Sequence, residues 1–284
     1  MRKIINTFFI FIFIIFISNK AFSENVSELF SNLIPGDGIT EASIKINEDD
    51  NPDLEILAVR DISAAEFSNL FSQISFHTQE INNSDRLITN VGIGYRRLSD
   101  DKSSMYGFNS FIDYDLEGHA RGSVGFELKG AMLDLTTNNY FGLSRMQTVD
   151  GTEEKVMKGF EINLASQIPY MPWSKLNWQR YFWHKESATT DTKGNILSLE
   201  MMISPTVQFD IMGDYSDDSS TDDEYSYRLT FLYPPRESKP TLADGLVSDL
   251  AFEKENVEKK LKEKVRRSNN LAVEVQGTVI VTSK

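Results

Sequence analysis

RLITNVGIGYRRL, residues 86–98, is followed by MYGFNSFIDYD at 105–115, RGSVGFEL at 121–128 and LDLTTNNYF at 133–141, with only a turn or a polar loop between successive segments. Side chains along a strand alternate between its two faces with a period of two. In the first segment that rule puts Val91, Ile93 and Tyr95 on one face and Asn90, Gly92, Gly94 and Arg96 on the other. One face is apolar and the other is polar or empty. A secreted β-sandwich can carry the same alternation, but aromatic-rich apolar faces recur here on nearly every strand, as on a barrel wall that meets lipid. Such faces are formed by Tyr106, Phe108, Ile112 and Tyr114, by Val124, Phe126 and Leu128, and by Phe160, Ile162 and Leu164. Two more comprise Val207, Phe209, Ile211 and Tyr215, and Tyr225, Tyr227, Leu229, Phe231 and Tyr233. Tyrosines at strand ends suit an interfacial girdle. The opposite faces turn Asn109, Asp113, Glu127, Glu161, Asn163, Gln208, Asp210 and Arg228 inward, which implies a wet lumen or one holding a polar plug.

The N-terminus points to the compartment. Residues 1–23 have the parts of a secretory signal: basic Arg2 and Lys3, an apolar stretch at 4–17, and a small-residue exit at Ala21-Phe22-Ser23. They are read as removed. A retained anchor is the competing reading, because the apolar stretch is close to the lower limit of about 17 residues for a spanning helix. The chain has no cysteine, which excludes a lipidated N-terminus, a disulfide framework and thiolate chemistry. No later segment is long and apolar enough to span as a helix, so a membrane location requires a closed barrel, which satisfies every backbone group in lipid. The formal charge of -13 becomes three units more negative once Arg2, Lys3 and Lys20 leave. Such a chain does not seek nucleic acid.

Connection lengths give the topology. A polar loop through Asp85 is expected after a strand at 70–77. Long loops follow the strands ending at Tyr140 and His184, and the acidic SDDSSTDDE stretch, 216–224, precedes the last strand. The alternate connections are short: residues 99–104, Lys129-Gly130, IPYMPWS at 168–174, and Ser204-Pro205. Outer-membrane barrels have short periplasmic turns and longer outer loops. Ten strands therefore fall between residues 70 and 233. Adding a hairpin of two short strands, 42–46 and 54–60, preserves the parity. The fold class expected is all-β, a 12-stranded antiparallel transmembrane barrel over residues 42–234 that starts and ends in the periplasm, with 24–41 as a short periplasmic segment.

The motifs in these strands resemble the β-domain of inverse autotransporters, the intimin and invasin family. The resemblance lies in Asn90, Gly92, Gly94 and Arg96; in Gly107, Asn109, Phe111, Asp113, Tyr114 and Asp115; and in Arg121, Ser123, Gly125 and Glu127. It continues through Asn138, Tyr140, Leu143 and Ser144, and through Gly159, Glu161, Pro169, Tyr170 and Pro172. The tail, LKEKVRRSNNLAVEVQ at 261–276, is similar to the segment that in this family links barrel to passenger and threads the lumen to the cell surface. Arg267, Asn269, Asn270, Leu271, Val273 and Glu274 carry that second match. Residues 235–284 are accordingly expected to be a linker. Apolar Leu246, Leu250, Val257, Leu261 and Val265 suggest a helix over about 245–267, and β-rich sequence suggests an extended tail at about 271–281. Lys259, Lys260, Lys264, Arg266, Arg267, Asn269 and Asn270 are the candidate contacts to the acidic inner wall. A solvated periplasmic helix competes with lumen placement, because Glu253, Glu255, Glu258 and Glu263 interleave with the basic residues.

The resemblance implies an outer-membrane translocator and anchor that displays a C-terminal segment. It also implies outer-membrane lipids, periplasmic chaperones and the barrel-assembly machinery as partners. Family members carry long adhesive passengers after the linker. This sequence stops at Lys284, so host-receptor binding is not carried over; a pore plugged by its own C-terminal segment is the alternative. No small-molecule substrate or cofactor is evident. His77, His119 and His184 lack an accompanying nucleophile motif, and no enzyme is expected. Asp217, Asp218, Asp222, Asp223 and Glu224 lack the spacing and turn glycine of a calcium loop, so no metal site is expected either.

Overall fold

The computed structural model describes residues 34–47, 52–186, 190–219, 221–237 and 239–275. The signal segment and residues 276–284 lie outside them. Twelve long strands close a barrel: β1 (Gly38–Asn47), β2 (Asp53–Ala65), β3 (Ser68–Ile81), β4 (Ser84–Leu98), β5 (Ser104–Asp115), β6 (Ala120–Gly130) and β7 (Leu133–Gly142) form the first part. After the short β8 (Gln147–Val149) and β9 (Thr152–Val156), the wall resumes with β10 (Lys158–Ile168), β11 (Met171–His184), β12 (Thr192–Ser204), β13 (Val207–Ser216) and β14 (Glu224–Tyr233). Each wall strand pairs antiparallel with its neighbours, and β14 returns to β1, with Ala42 opposite Phe231. The all-β, 12-stranded barrel is thus as the sequence implies. The rim holding the start of β1 and the end of β14 is called the lower rim here, and the opposite one the upper rim.

Alternation is strict where the sequence is most regular. On β5 the even-numbered Tyr106, Phe108, Ile112 and Tyr114 face outward and are exposed, while Met105, Asn109, Phe111, Asp113 and Asp115 are buried inside. Phe108 is 64 % exposed, which in water would be a large cost and in lipid is not. The outward Leu229 and Phe231 are instead buried, packed with Ala42 and Val207 beside them on the wall.

Two expectations are corrected. First, β3 continues to Ile81 and turns at Asn82-Asn83, so the polar loop expected there is a two-residue hairpin. Both asparagines have positive φ, 53° and 58°, the geometry of a turn that asparagine tolerates. Thr78, Gln79 and Glu80 are polar on both faces of β3, and the single apolar Ile81 after them does not show the alternation of a strand. Second, no helix spans 245–267. The described chain there has a single 3-10 segment, Val257–Lys262, preceded by another at Leu242–Asp244. Leu246 and Leu250 of the expected apolar stripe are exposed; Val257 and Leu261 pack against Leu98 and Met105, and Val265 joins Phe71 and Phe111. The last part of the tail is a strand, β15 (Val273–Val275), which pairs antiparallel with β9 beyond the upper rim in a sheet of order β15-β9-β8.

Candidate functional site

The inner face of β4 explains its glycines. A Cβ on Gly92 would lie 2.2 Å from the Phe111 ring, and one on Gly94 would lie 2.4 Å from the Phe71 ring. Rings from β5 and β3 therefore lie flat on bare backbone. The guanidinium of Arg96 stacks 4.1 Å from the Phe71 ring and that of Arg267 stacks 4.3 Å from the Phe111 ring. Glycine thins the wall so that aromatics can carry cations.

Each of those guanidiniums has a carboxylate. Arg96 donates to both oxygens of Glu127, at 2.7 and 3.0 Å, and Nη1 donates to the carbonyls of Leu261 and Glu263 at 3.1 and 2.5 Å. Arg267 forks onto Asp113 at 2.9 and 2.7 Å. Asp113 also accepts from Arg121 Nε and Asn90 Nδ2, each at 2.8 Å. Arg121 in turn lies over the Tyr140 ring and donates to the Ser268 carbonyl. Glu161 accepts from Asn138, Gln179 and the Ser268 amide at 2.8, 2.9 and 3.0 Å. Buried charges are tolerated only when paired and hydrogen-bonded in this way.

Along β3 the contacts keep a fixed spacing. Asn69 Nδ2 donates to the Leu261 carbonyl, Gln73 Oε1 accepts the Val265 amide, and Gln79 takes both the amide and the carbonyl of Leu271 at 2.8 and 2.9 Å; the separation in sequence is 192 every time. Residues 261–271 therefore advance in step with a strand, one residue per residue. At roughly 3.3 Å per residue this is about 33 Å along a strand tilted by about 40°, hence about 25 Å along the barrel axis, the height of the apolar band. The wall side chains supply the donors and acceptors that a helix would have found within itself, which is why the helix gives way. Above Leu271, the Ala272 carbonyl accepts the Met157 amide, and β15 follows.

The other candidate contacts divide. Lys260 donates to Asp134 and the Gly130 carbonyl at 2.6 and 2.7 Å, Lys264 to Glu41 at 2.7 Å, and Arg266 to both oxygens of Glu200. Asn269 donates to Glu55 at 2.8 Å, and its carbonyl accepts from Asn90. Asn270 lines a cavity beside the segment, and Lys259 is exposed. Of the inward candidates, Asp113, Glu127 and Glu161 meet or brace the segment, Asn109 packs against Gly125, and Asn163 donates to Glu161. Gln208, Asp210 and Arg228 instead line the cavity. Asn69, Gln73, Gln79 and Glu200 were not among the candidates, although extending the period of two along β3 and β12 would have found them.

Two of the three histidines and the acidic loop have other partners. His77 is buried on the inner face of β3. His119 sits on Asp115 at 2.9 Å, and His184 on Asp191 at 2.8 Å. Asp217 accepts a fork from Arg180, whose hydrogen bonds hold its carboxyl below the usual aspartate range.

A barrel whose lumen is crossed by its own C-terminal segment, held by these motif residues, can be set against known proteins. The profile of the inverse autotransporter β-domain matches residues 17–269. The chain belongs to that family. Invasin from Yersinia enterocolitica is 32 % identical over 117 residues, which are 39 % of this chain and 13 % of invasin, so the likeness covers a small part of that relative. Among solved structures, a chain from work on the in-meso crystallization of membrane proteins superposes with a TM-score of 0.66 at 18 % identity, covering 84 % of this β-domain and all of that chain. That likeness shows the fold. KdgM porin superposes at a TM-score of 0.46 and 9 % identity, over 69 % of this chain and 98 % of its own. The inverse autotransporter β-domain is an outer-membrane barrel, and its exposed aromatic belt is consistent with a lipid surround.

Proposed function

We propose that this β-domain is an anchor and translocator: it holds residues 261–271 in its pore and carries whatever follows them to the cell surface. The observation that supports this is the constant register of the segment on β3, which leads from the lower rim to the sheet with β9 beyond the upper rim. In this reading the lower rim is periplasmic, the secretory signal at residues 1–23 is cleaved, and periplasmic chaperones and the barrel-assembly machinery deliver the chain to the outer membrane. Asp113, Glu127 and Glu161 are the lumen acids that retain the segment through Arg267, Arg96 and Ser268. An epitope tag fused after Lys284 should be reachable by antibody on intact cells. A tag reachable only after the outer membrane is permeabilised would end this reading.

The cavity beside the segment favours a second reading, a pore plugged by its own tail. Planar-bilayer conductance that is high, and unchanged by deleting residues 251–284, would support it over the first.

A further inference from the structure

The segment occupies only one side of the lumen. It lies against β2 to β7 and β10, whereas β12, β13, β14 and β1 present short or polar side chains such as Ser198, Gln208, Ser226 and Ser43. Two cavities result, one of ≈ 160 Å³ toward the upper rim and one of ≈ 80 Å³ toward the lower. Both are lined by Glu200, Gln208, Lys264 and Arg266, so they meet at one level. At that level two side chains of the segment reach across to the wall: Arg266 forks onto Glu200 of β12, with Nη2 to Oε2 at 2.7 Å, and Lys264 donates to Glu41 of β1 at 2.7 Å. They stand like two bars on either side of β13 and β14.

The wall above the bars is charged. Cross-strand register places Glu200 opposite Asp210, Asp210 opposite Arg228, and Arg228 opposite Lys45, and the upper cavity is also lined by Asp214, Asp53 and Glu55. Arg266, Lys264 and Arg267 have carboxylates of their own at Glu200, Glu41 and Asp113. With those three paired, Asp53, Glu55, Asp210, Asp214 and Glu224 outnumber Lys45 and Arg228 around the upper cavity, a lining that favours cations over anions.

We propose that the uncovered side of the lumen is a path for small hydrated cations, closed at the level of the Arg266–Glu200 and Lys264–Glu41 pairs. The path does not require the segment to leave; it rests on the segment staying in the lumen, and the two side chains that close this level have to withdraw. The test is planar-bilayer conductance in KCl of the full chain carrying a C-terminal tag, as wild type, as Lys264→Ala/Arg266→Ala and with residues 251–284 deleted. Surface access of the tag on intact cells is scored in parallel for the undeleted chains. The double variant should conduct severalfold more than wild type, prefer potassium over chloride, stay well below the deletion, and keep whatever tag access the wild type has. Adding Asp210→Asn and Asp214→Asn should then weaken the cation preference. A double variant that conducts no more than wild type overturns the proposal. So does one that conducts as much as the deletion, because the segment has then left, and so does a selectivity indifferent to Asp210 and Asp214. Should wild-type tag access fail while the conductance pattern holds, the export reading falls and the cation path stands.

Discussion

The two sides of the lumen are built differently. Toward β3 to β7 and β10, charges are dry, forked and stacked on rings over bare glycine: Arg96 on Phe71, Arg267 on Phe111, each closed by a buried carboxylate. Toward β12 to β14 and β1, serines and a row of charges face open space. Both sides are polar, so polarity does not separate them. What separates them is where the partners come from: on the first side the segment itself closes the network, and on the second the wall groups pair with one another, Gln208 with Asp210 and Tyr181 with Asp214. The first side specifies the position of the segment, and the second leaves room beside it.

Breaking the dry side should have the largest effect. Asp113→Ala strands Arg267 and Arg121 without their shared carboxylate, and loss of one partner of a buried pair costs about 3–5 kcal/mol. Thermal unfolding in detergent, followed by the loss of the compact barrel's gel mobility, should show a large fall in midpoint; an unchanged midpoint would mean that the pair is not buried as described. Gly92→Ala drives a methyl into the Phe111 ring, which overpacks by about 1–3 kcal/mol, and the same assay should register a smaller fall. Gln79→Leu removes both hydrogen bonds to Leu271 and leaves two backbone groups unsatisfied, at about 1–3 kcal/mol if they stay buried. Its signature should be local, namely faster amide exchange at Leu271 and in β15 with little change in the wall. On the open side, Ser43→Ala and Ser226→Ala should stay within about 0.5 kcal/mol of wild type, because both hydroxyls border the cavity.

The smallest effect lies outside the barrel. Arg180 lowers the folded-state pKa of Asp217, so this group stabilises the fold above the ordinary aspartate value, and the contribution fades as pH falls through the depressed one. Arg180→Ala should return the Asp217 titration, followed by carboxyl NMR, to the ordinary range with little loss of stability, as expected for an exposed pair.

Strand order, parity and the outward belt were legible because period-two alternation is a local signal: Tyr106, Phe108, Ile112 and Tyr114 declare their face by position alone. The hairpin at Asn82-Asn83 was less so, because Thr78, Gln79 and Glu80 interrupt the alternation before the lone Ile81. The tail was misread as a helix for a related reason. Val257, Leu261 and Val265 are at helical spacing and do pack, but Arg96, Asn69 and Gln73 capture the backbone groups of residues 261–265. No local window of sequence contains that competition. Likewise the acids were visible as inward residues, while their division into Asp113, Glu127 and Glu161 on the segment and Asp210 on the cavity was not.

By itself the sequence determined a closed antiparallel barrel with an apolar belt, because strand alternation and backbone satisfaction in lipid act residue by residue. Only the tertiary structure decided where the tail runs and what it leaves open. Those depend on side chains of β3 meeting backbone groups 192 positions further along the chain, and the free energy of such a meeting belongs to the pair and to neither residue alone.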